Sequence, residues 1–480
     1  MSLAGRNLVT IDDFTCAEME GLFSLADEMA SERDKQYGLC QGKIMASLFF
    51  EPSTRTRLSF ESAMNRLGGR VVSVTDPNAT SLAKGESLAD MARVLGGYAD
   101  IIVIRHPWEG AARVVADYAG VPVINGGDGG HQHPTQTLCD LYTLRKERGS
   151  IGGSKIALWG DLKYGRTIHS LIFALAKFGA DILFCPSPGL EVPDHVIKKL
   201  IKEYGGEVKK SVACATTDDG TSESIAQKEA VPLDAIYITP SSPHQLAMVP
   251  GVDVEVELKS GVDALYVTRP QKERFTASET ASHTKNKYPI VNKELLRDKA
   301  FKKSMVMHPL PRVDELAYEL DSDPRSRYFK QAELGVPVRM ALVSLLLGKR
   351  DIGVPNQTTA DASVPDFPLY QHYTDIKCGN PKCVTAQPTE VNYIKPRFKI
   401  VDNSPVTLRC VYCEHGYEPK YIASAEWHQG KTDSKRYHRA DSHLARQIKP
   451  ENLIVFDSAE QAEARGFKPG YFAGKGESKE

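Results

Sequence analysis

No stretch of the 480 residues approaches the roughly 18 consecutive apolar positions that a membrane-spanning helix needs. A surplus of charge is missing too. Sixty basic residues face 61 acidic ones, giving a net charge of −1, so no global basic field draws nucleic acid or membrane. Anion binding must then come from local sites. Acidic residues stand at Asp12 and Asp13 and no apolar core lies near them, so the expectation is a cytoplasmic protein without a secretory leader. What remains is ordinary: 41% apolar and 25% charged residues, the balance of a globular chain with about three domains at about 100–200 residues each. The nine cysteines divide unevenly. Cys16, Cys40, Cys139, Cys185 and Cys214 are scattered, as buried thiols in a reducing compartment would be, whereas Cys378, Cys383, Cys410 and Cys413 come in pairs.

The most informative stretch is Phe49-Phe50-Glu51-Pro52-Ser53-Thr54-Arg55-Thr56-Arg57. An apolar strand, Ile44 to Phe50, ends there, and a helical pattern through Leu58, Ala63, Met64 and Leu67 follows. Helix N-termini leave N–H groups without partners and carry partial positive charge, so they attract phosphate. Three hydroxyls and two guanidiniums at that point add charge-assisted bonds suited to phosphate oxygens. A lone Ser-Thr-Arg reads as a helix cap with exposed arginine; five such residues in a row read as an oxyanion site.

The Ser-Thr-Arg-Thr-Arg run resembles the phosphate loop of the carbamoyltransferases. Further matches follow in order: Arg105-His106-Pro107 closing a strand, His133-Pro134-Thr135-Gln136 opening a helix, and His308-Pro309-Leu310-Pro311-Arg312 after another strand. Gly165-Arg166-Thr167-Ile168-His169-Ser170 and Thr268-Arg269-Pro270-Gln271-Lys272-Glu273-Arg274 resemble the aspartate branch. The ornithine branch would carry His-Cys-Leu-Pro at 308–311. The resemblance covers residues 1 to about 350. It implies transfer of the carbamoyl group from carbamoyl phosphate to the α-amine of L-aspartate, an early step of de novo pyrimidine synthesis, with no cofactor for catalysis.

The resemblance also assigns roles. Ser53, Thr54, Arg55 and Thr56 would hold the phosphate; Thr56, Arg105 and His133 would surround the carbonyl oxygen, and Gln136 would touch the carbamoyl group. Arg166 would take the α-carboxylate of aspartate, and Arg269 with Gln271 the β-carboxylate. The carbonyls of Pro309 and Leu310 would accept the attacking amine's hydrogens, with a cis bond between Leu310 and Pro311. Ser81-Leu82-Ala83-Lys84-Gly85-Glu86 resembles the family's mobile loop, one residue shorter than a common form, which reaches a neighbouring subunit's site. Ser81 and Lys84 would then contact carbamoyl phosphate, and Lys84 also aspartate, in a homotrimer with shared sites. Further assembly through the C-terminal module stays open.

The fold class expected is α/β. Apolar runs at Ile44–Phe50, Val71–Val74, Ile101–Ile104 and Val121–Asn125 alternate with helical patterns, as in a parallel sheet covered on both faces. Residues 1–148 form one such domain, with a helix over Thr135–Arg148. Residues 149–348 form a second, from strands at 155–160, Ile182–Cys185, Leu265–Thr268 and Met305–His308 and helices at Thr167–Phe178 and Val338–Leu347. The stretch at about 211–262 reads as an insertion. It holds Asp234-Ala235-Ile236-Tyr237-Ile238-Thr239-Pro240, a near-repeat of 263–269 without the arginine, so the strand and the substrate contact are assigned to the second copy. Residues 349–377, rich in Pro, Asp, Thr and Gln, read as a linker.

Cys378-x4-Cys383 and Cys410-x2-Cys413 fit a closed four-thiolate structural zinc site in a small β domain, 378–425. A disulfide pair is the alternative, disfavoured in a reducing compartment. The flanks resemble the zinc domain of the aspartate carbamoyltransferase regulatory chain, which implies docking on the catalytic body, fused in cis. Zinc ribbons also bind nucleic acid, and Lys395, Arg397, Lys399 and Arg409 would serve that use. Residues 426–480 read as a small, partly disordered tail. Its 434–472 segment resembles the metal-binding module of Ada-type repair proteins, but Ser442 stands where a cysteine is expected, leaving only His438 and His443. Two rival readings stay in view: a carbamoyltransferase for another amino acid, and a zinc-ribbon binding or regulatory protein whose catalytic body is degenerate. A dinucleotide-binding oxidoreductase fits poorly, because Gly160 and Gly165 lack the Gly-x-Gly-x-x-Gly spacing.

Overall fold

The computed structural model describes residues 1–186, 189–205, 234–239, 261–269, 290–353, 365–372, 376–426 and 435–470. The first lobe is a four-stranded parallel sheet in the order β2-β1-β3-β4, formed by β1 (Ile44–Phe49), β2 (Arg70–Val74), β3 (Ile101–His106) and β4 (Val123–Asp128). Every residue of β3 and β4 is buried, which is why β3 opens as a continuous apolar run, Ile101–Ile104, instead of an alternating one. Its helices are α1 (Cys16–Ser31), α2 (Thr54–Arg66), α3 (Leu88–Gly96), α4 (Ala111–Ala119) and α5 (Pro134–Arg148). Helix α1 starts on a capping box, in which Thr15 accepts the Glu18 N–H and Glu18 accepts the Thr15 N–H.

The second lobe is a five-stranded parallel sheet in the order β6-β5-β7-β8-β9. Its strands are β5 (Lys155–Gly160), β6 (Asp181–Pro186), β7 (Ala235–Thr239), β8 (Ala264–Val267) and β9 (Met305–Met307), with helices α6 (Arg166–Lys177) and α7 (Asp194–Tyr204). Both copies of the near-repeat are strands, paired side by side with Tyr237 opposite Tyr266. The reading of 211–262 as one insertion is therefore corrected at its centre: residues 235–239 form the middle strand of the sheet, every side chain buried. An apolar β-branched segment of this kind is stable only with neighbours on both edges. The rest of that stretch, like Gln271, lies outside the described residues.

A long helix, α8 (Tyr328–Leu346), leaves the second lobe and packs against α1, α2 and α5 of the first. It begins ten residues before the expected Val338, because Pro337 sits inside it without ending it. At its end Gly5 donates to the Leu346 carbonyl, and the Met1 ammonium and Ile352 exchange bonds of 2.8 and 3.0 Å.

The C-terminal part holds two small sheets. One is antiparallel, of β10 (Phe398–Asn403), β11 (Val406–Cys410) and β12 (Gly416–Tyr417). The other, in the order β15-β13-β14-β16, comprises β13 (Tyr421–Ser424), β14 (Arg436–Arg439), β15 (Leu453–Phe456) and β16 (Lys468–Pro469), with α9 (Ala459–Ala464). Among the described residues β13 pairs with the tail strands β14 and β15, so the tail sheet takes in Tyr421–Ser424. Tail residues Tyr437, Ile454, Phe456, Ala462 and Phe467 form a core of their own with Ala423. Part of the expected linker is also built in, since Tyr370 donates to the Phe398 carbonyl and accepts from Val455 through its hydroxyl. Apolar residues of the cysteine module share one core with the first lobe, among them Cys383, Val384, Phe398 and Leu408 with Ala111, Ala112 and Val115.

Candidate active site and metal centre

Helices α2, α5 and α6 all begin at one cleft between the lobes, and their first residues are Thr54, Pro134 and Arg166. Three positive dipole ends converge on a cavity of ≈ 650 Å³. Ser53, Thr54, Arg55, Thr56, Arg105, His133, Gln136, Arg166, Arg269, Pro309 and Leu310 all line it. Burial and the like charge of Arg269 both push the Arg55 guanidinium below its usual range. Ser81 and Lys84 lie on an exposed turn outside this cavity. Leu310 takes φ 55° and its peptide bond to Pro311 is cis.

Arg105 is 7% exposed and organises the floor. It donates to the Gly126 carbonyl at 3.2 Å and to Glu51 at 2.7 Å, and its Nη1 lies 3.4 Å from His133 Nε2. One oxygen placed between them could reach both. Gly127, at φ +115°, is needed for this approach, because a Cβ there would sit 3.0 Å from Arg105 Nη1 and 3.3 Å from the His133 ring. Arg166 makes two bonds of 3.0 Å to the Glu51 carboxylate and one of 2.7 Å to the Gly129 carbonyl. Glu51 therefore holds both arginines, a role the sequence reading missed. The only signal was its place beside the phosphate-type loop.

Gln136 donates at 2.7 Å to Asp140, which also accepts from Gln331 at 2.9 Å. Burial raises the Asp140 carboxyl to about 7, against the opposing effect of Gln136, Tyr266 and Gln331. A deeply buried carboxyl one helical turn from Gln136 thus fixes the orientation of its amide.

The thiols of Cys378, Cys383, Cys410 and Cys413 lie within 4.8 Å of one another. Sγ separations of 3.5 Å (Cys378–Cys413) and 3.9 Å (Cys383–Cys410) are far too long for disulfides. They match the roughly 3.8 Å edge of a tetrahedron with metal–sulfur bonds of about 2.3 Å. In the tail, His438 Nδ1 and Ser442 Oγ are buried without hydrogen-bond partners, and the only candidate metal cluster among the described residues is the four-cysteine one.

The cysteine module touches both lobes. On the first, Glu109 pairs through its backbone with Lys382 and Val384, and its carboxylate accepts from Asn380 at 2.6 Å. Glu390 accepts the Leu88 N–H, and Arg397 pairs with Asp117. On the second, α7 presents Lys198 to Glu418, Lys199 to Glu414, Lys202 to Asp402 and Glu203 to Arg409.

Family models match three stretches of the chain. Residues 6–146 match the carbamoyl-P binding domain of aspartate/ornithine carbamoyltransferase and 243–346 its Asp/Orn binding domain. Residues 373–423 match the metal binding domain of the aspartate carbamoyltransferase regulatory chain. The aspartate carbamoyltransferase catalytic subunit of Clostridium botulinum (strain Okra / Type B1) is 45% identical over 349 residues, 72% of this chain and 100% of that protein. The chain belongs to the aspartate carbamoyltransferase family. The Methanopyrus kandleri catalytic subunit is 46% identical, covering 72% of this chain and 99% of its own. Among solved structures, the catalytic subunit of M. Jannaschii aspartate transcarbamoylase is 42% identical at a TM-score of 0.55, covering 72% of this chain and 98% of its own. The aspartate transcarbamoylase of Trypanosoma cruzi in complex with carbamoyl phosphate and aspartate is 34% identical at 0.58, with the same coverage. As an aspartate carbamoyltransferase, the chain transfers a carbamoyl group to L-aspartate, and its C-terminal part is a metal-binding domain of the regulatory-chain type.

Proposed function

We propose that carbamoyl phosphate and L-aspartate meet in the cleft between the lobes and that the residues lining it carry the reaction. The observation that bears most weight is the convergence of the α2, α5 and α6 N-termini with Arg55, Arg105, Arg166 and Arg269 in one cavity. Ser53, Thr54, Arg55 and Thr56 take the phosphate. Thr56, Arg105 and His133 hold the carbonyl oxygen, where charge grows as the amine attacks. Gln136, its amide set by Asp140, holds the carbamoyl nitrogen side, and the Pro309 and Leu310 carbonyls accept from the amine. Arg166 and Arg269 take the two carboxylates of aspartate, so Glu51 must share or release Arg166 when substrate enters. No covalent intermediate is needed: positioning and electrostatic stabilisation carry the step.

The metal is zinc, by donor chemistry, since four thiolates in a tetrahedron suit a borderline-soft cation with no redox role, and the site leaves no position open for catalysis. The nucleic-acid reading of this module loses ground because Arg397 and Arg409 pair with Asp117 and Glu203 of the catalytic lobes. Ser81 and Lys84, exposed outside their own cleft, suit donation to a neighbouring subunit in a trimer.

Steady-state kinetics of Arg269→Ala test the aspartate assignment. Losing a charge-assisted contact to a carboxylate is worth about 1.5–3 kcal/mol, so the KM for aspartate should rise about tenfold or more. The KM for carbamoyl phosphate should move far less. Equal changes in both would remove Arg269 from the aspartate side.

A further inference from the structure

We propose that Glu414, the residue following the fourth cysteine of the metal module, is a positioning residue for His133, acting through Gln132 and Ser170. The inference rests on the reading of His133 given above.

The contact runs as a relay with a defined direction. Gln132 Nε2 donates to Glu414 Oε2 at 3.1 Å, Ser170 Oγ donates to Gln132 Oε1 at 2.7 Å, and the His133 backbone N–H donates to Ser170 Oγ at 2.9 Å. Each link dictates the next. An ionised carboxylate only accepts, so Glu414 must face the amide nitrogen of Gln132, which leaves the amide oxygen toward Ser170. That oxygen takes the one hydroxyl proton of Ser170, and the lone pair left on Ser170 meets the His133 N–H. Gln132 is 1% exposed, Ser170 0% and His133 5%, so no solvent competes for these bonds. His133 is the cap residue of α5 and the next residue is Pro134, so its own N–H is the anchor that sets how the imidazole enters the cleft.

A second observation singles out Glu414. Its φ is 58°, in the left-handed region that glycine adopts without strain and that strains a glutamate. Its carboxylate is the return. It accepts from Gln132 and His131 on one oxygen and pairs with Lys199 at 2.7 Å on the other, 4% of the Lys199 side chain being exposed. His131 in turn lies 3.0 Å from Asp128, which accepts the Gln132 N–H at 3.1 Å, so the loop before His133 is held at both backbone and side chain. Glu414 and Gln132 are 282 residues apart in the chain. The metal module thereby reaches the floor of the active site.

A merely structural brace would lower stability and leave turnover alone, so kcat and KM separate the two roles. With the full chain, Glu414→Ala should lower kcat about tenfold or more while the KM for aspartate changes less than about threefold, because a small displacement of a group acting on the transition state is felt in kcat. Glu414→Gln, which keeps an acceptor for Gln132, should recover kcat to within about threefold of the wild type. Ser170→Ala breaks the relay without touching the metal module and should lower kcat similarly. The double variant should be no slower than the slower single one, as for residues acting in series. An unchanged kcat in Ser170→Ala, a loss in Glu414→Ala that Gln does not recover, or multiplying losses in the double variant would each overturn the proposal. Should Glu414→Ala fail to fold, Ser170→Ala alone decides. His133→Ala is the control: full turnover in that variant refutes the reading of His133 itself, whereas an impaired His133→Ala beside a normal Ser170→Ala refutes only the relay.

Discussion

Asp140 stands in an environment unlike the one its type prefers, a carboxyl 1% exposed and raised to about 7 by burial. Its folded pKa lies above the ordinary value of 3.8, so between about pH 4 and pH 7 the folded chain binds a proton that the unfolded chain does not. The proton therefore favours folding, and stability is lost as pH rises through that window. Asp140→Asn removes this dependence. Urea unfolding at pH 5 and pH 7 should show the wild type losing more stability across that step than the variant, by about 2 kcal/mol. Identical pH profiles for the two chains would mean that Asp140 is ionised throughout. Neither Asp140 nor Glu51 was legible in the sequence as a site residue. Each acts by orienting a recognised neighbour, Gln136 or Arg105 and Arg166, and the sequence names the neighbour's chemistry without its support. The phosphate-type loop was legible because its five polar groups are contiguous and a helix N-terminus gathers them without help from the rest of the fold.

At the scale of the element, strands buried on both faces were readable as apolar runs, and β1, β3 and β5 fall within a residue or two of expectation. β7 was misjudged because the absence of arginine was taken to rule out a structural role, although its place in the sheet depends only on its apolar face and on pairing with β5 and β8. The early start of α8 was hidden by Gly335 and Pro337, which local rules treat as breakers; packing of the helix on α1, α2 and α5 outweighs them. The metal knuckle is the element whose removal should be felt most widely. It ends in Glu414, β10 and β11 hold α7 through Asp402 and Arg409, and the loop between Cys378 and Cys383 holds the Glu109 turn through Asn380. Elemental analysis should find one zinc per chain, and stripping it with a chelator should lower the thermal midpoint by about 5 °C or more, because metal binding adds directly to folding free energy. A chain that purifies without zinc and melts unchanged in chelator would argue against a structural metal.

For the whole molecule, the metal-binding domain stands on both lobes at once, joining α7 of the second to the Glu109 and Leu88 regions of the first. α8 and the Met1–Ile352 contact close the body from the opposite end of the sequence. Long-range arrangements of this kind leave no local trace, which is why the docking could be expected only through resemblance. The trimer proposed from Ser81 and Lys84 has its own test. Arg55→Ala and Lys84→Ala chains, each inactive alone, should regain part of the activity after mixing and refolding, since some hybrid sites then contain both intact residues. Hybrids as inactive as their parents would mean that Lys84 serves no neighbouring site.

The central claim is that one cleft holds the phosphate at Arg55 and the dicarboxylate at Arg269. N-(phosphonacetyl)-L-aspartate carries both groups in a single molecule, so its titration calorimetry reads both ends together. The wild-type chain should bind it saturably at one site per chain. Arg55→Ala and Arg269→Ala should each weaken it about tenfold or more, as expected for loss of one charge-assisted contact. Binding of wild-type strength in either folded variant would contradict the shared cleft.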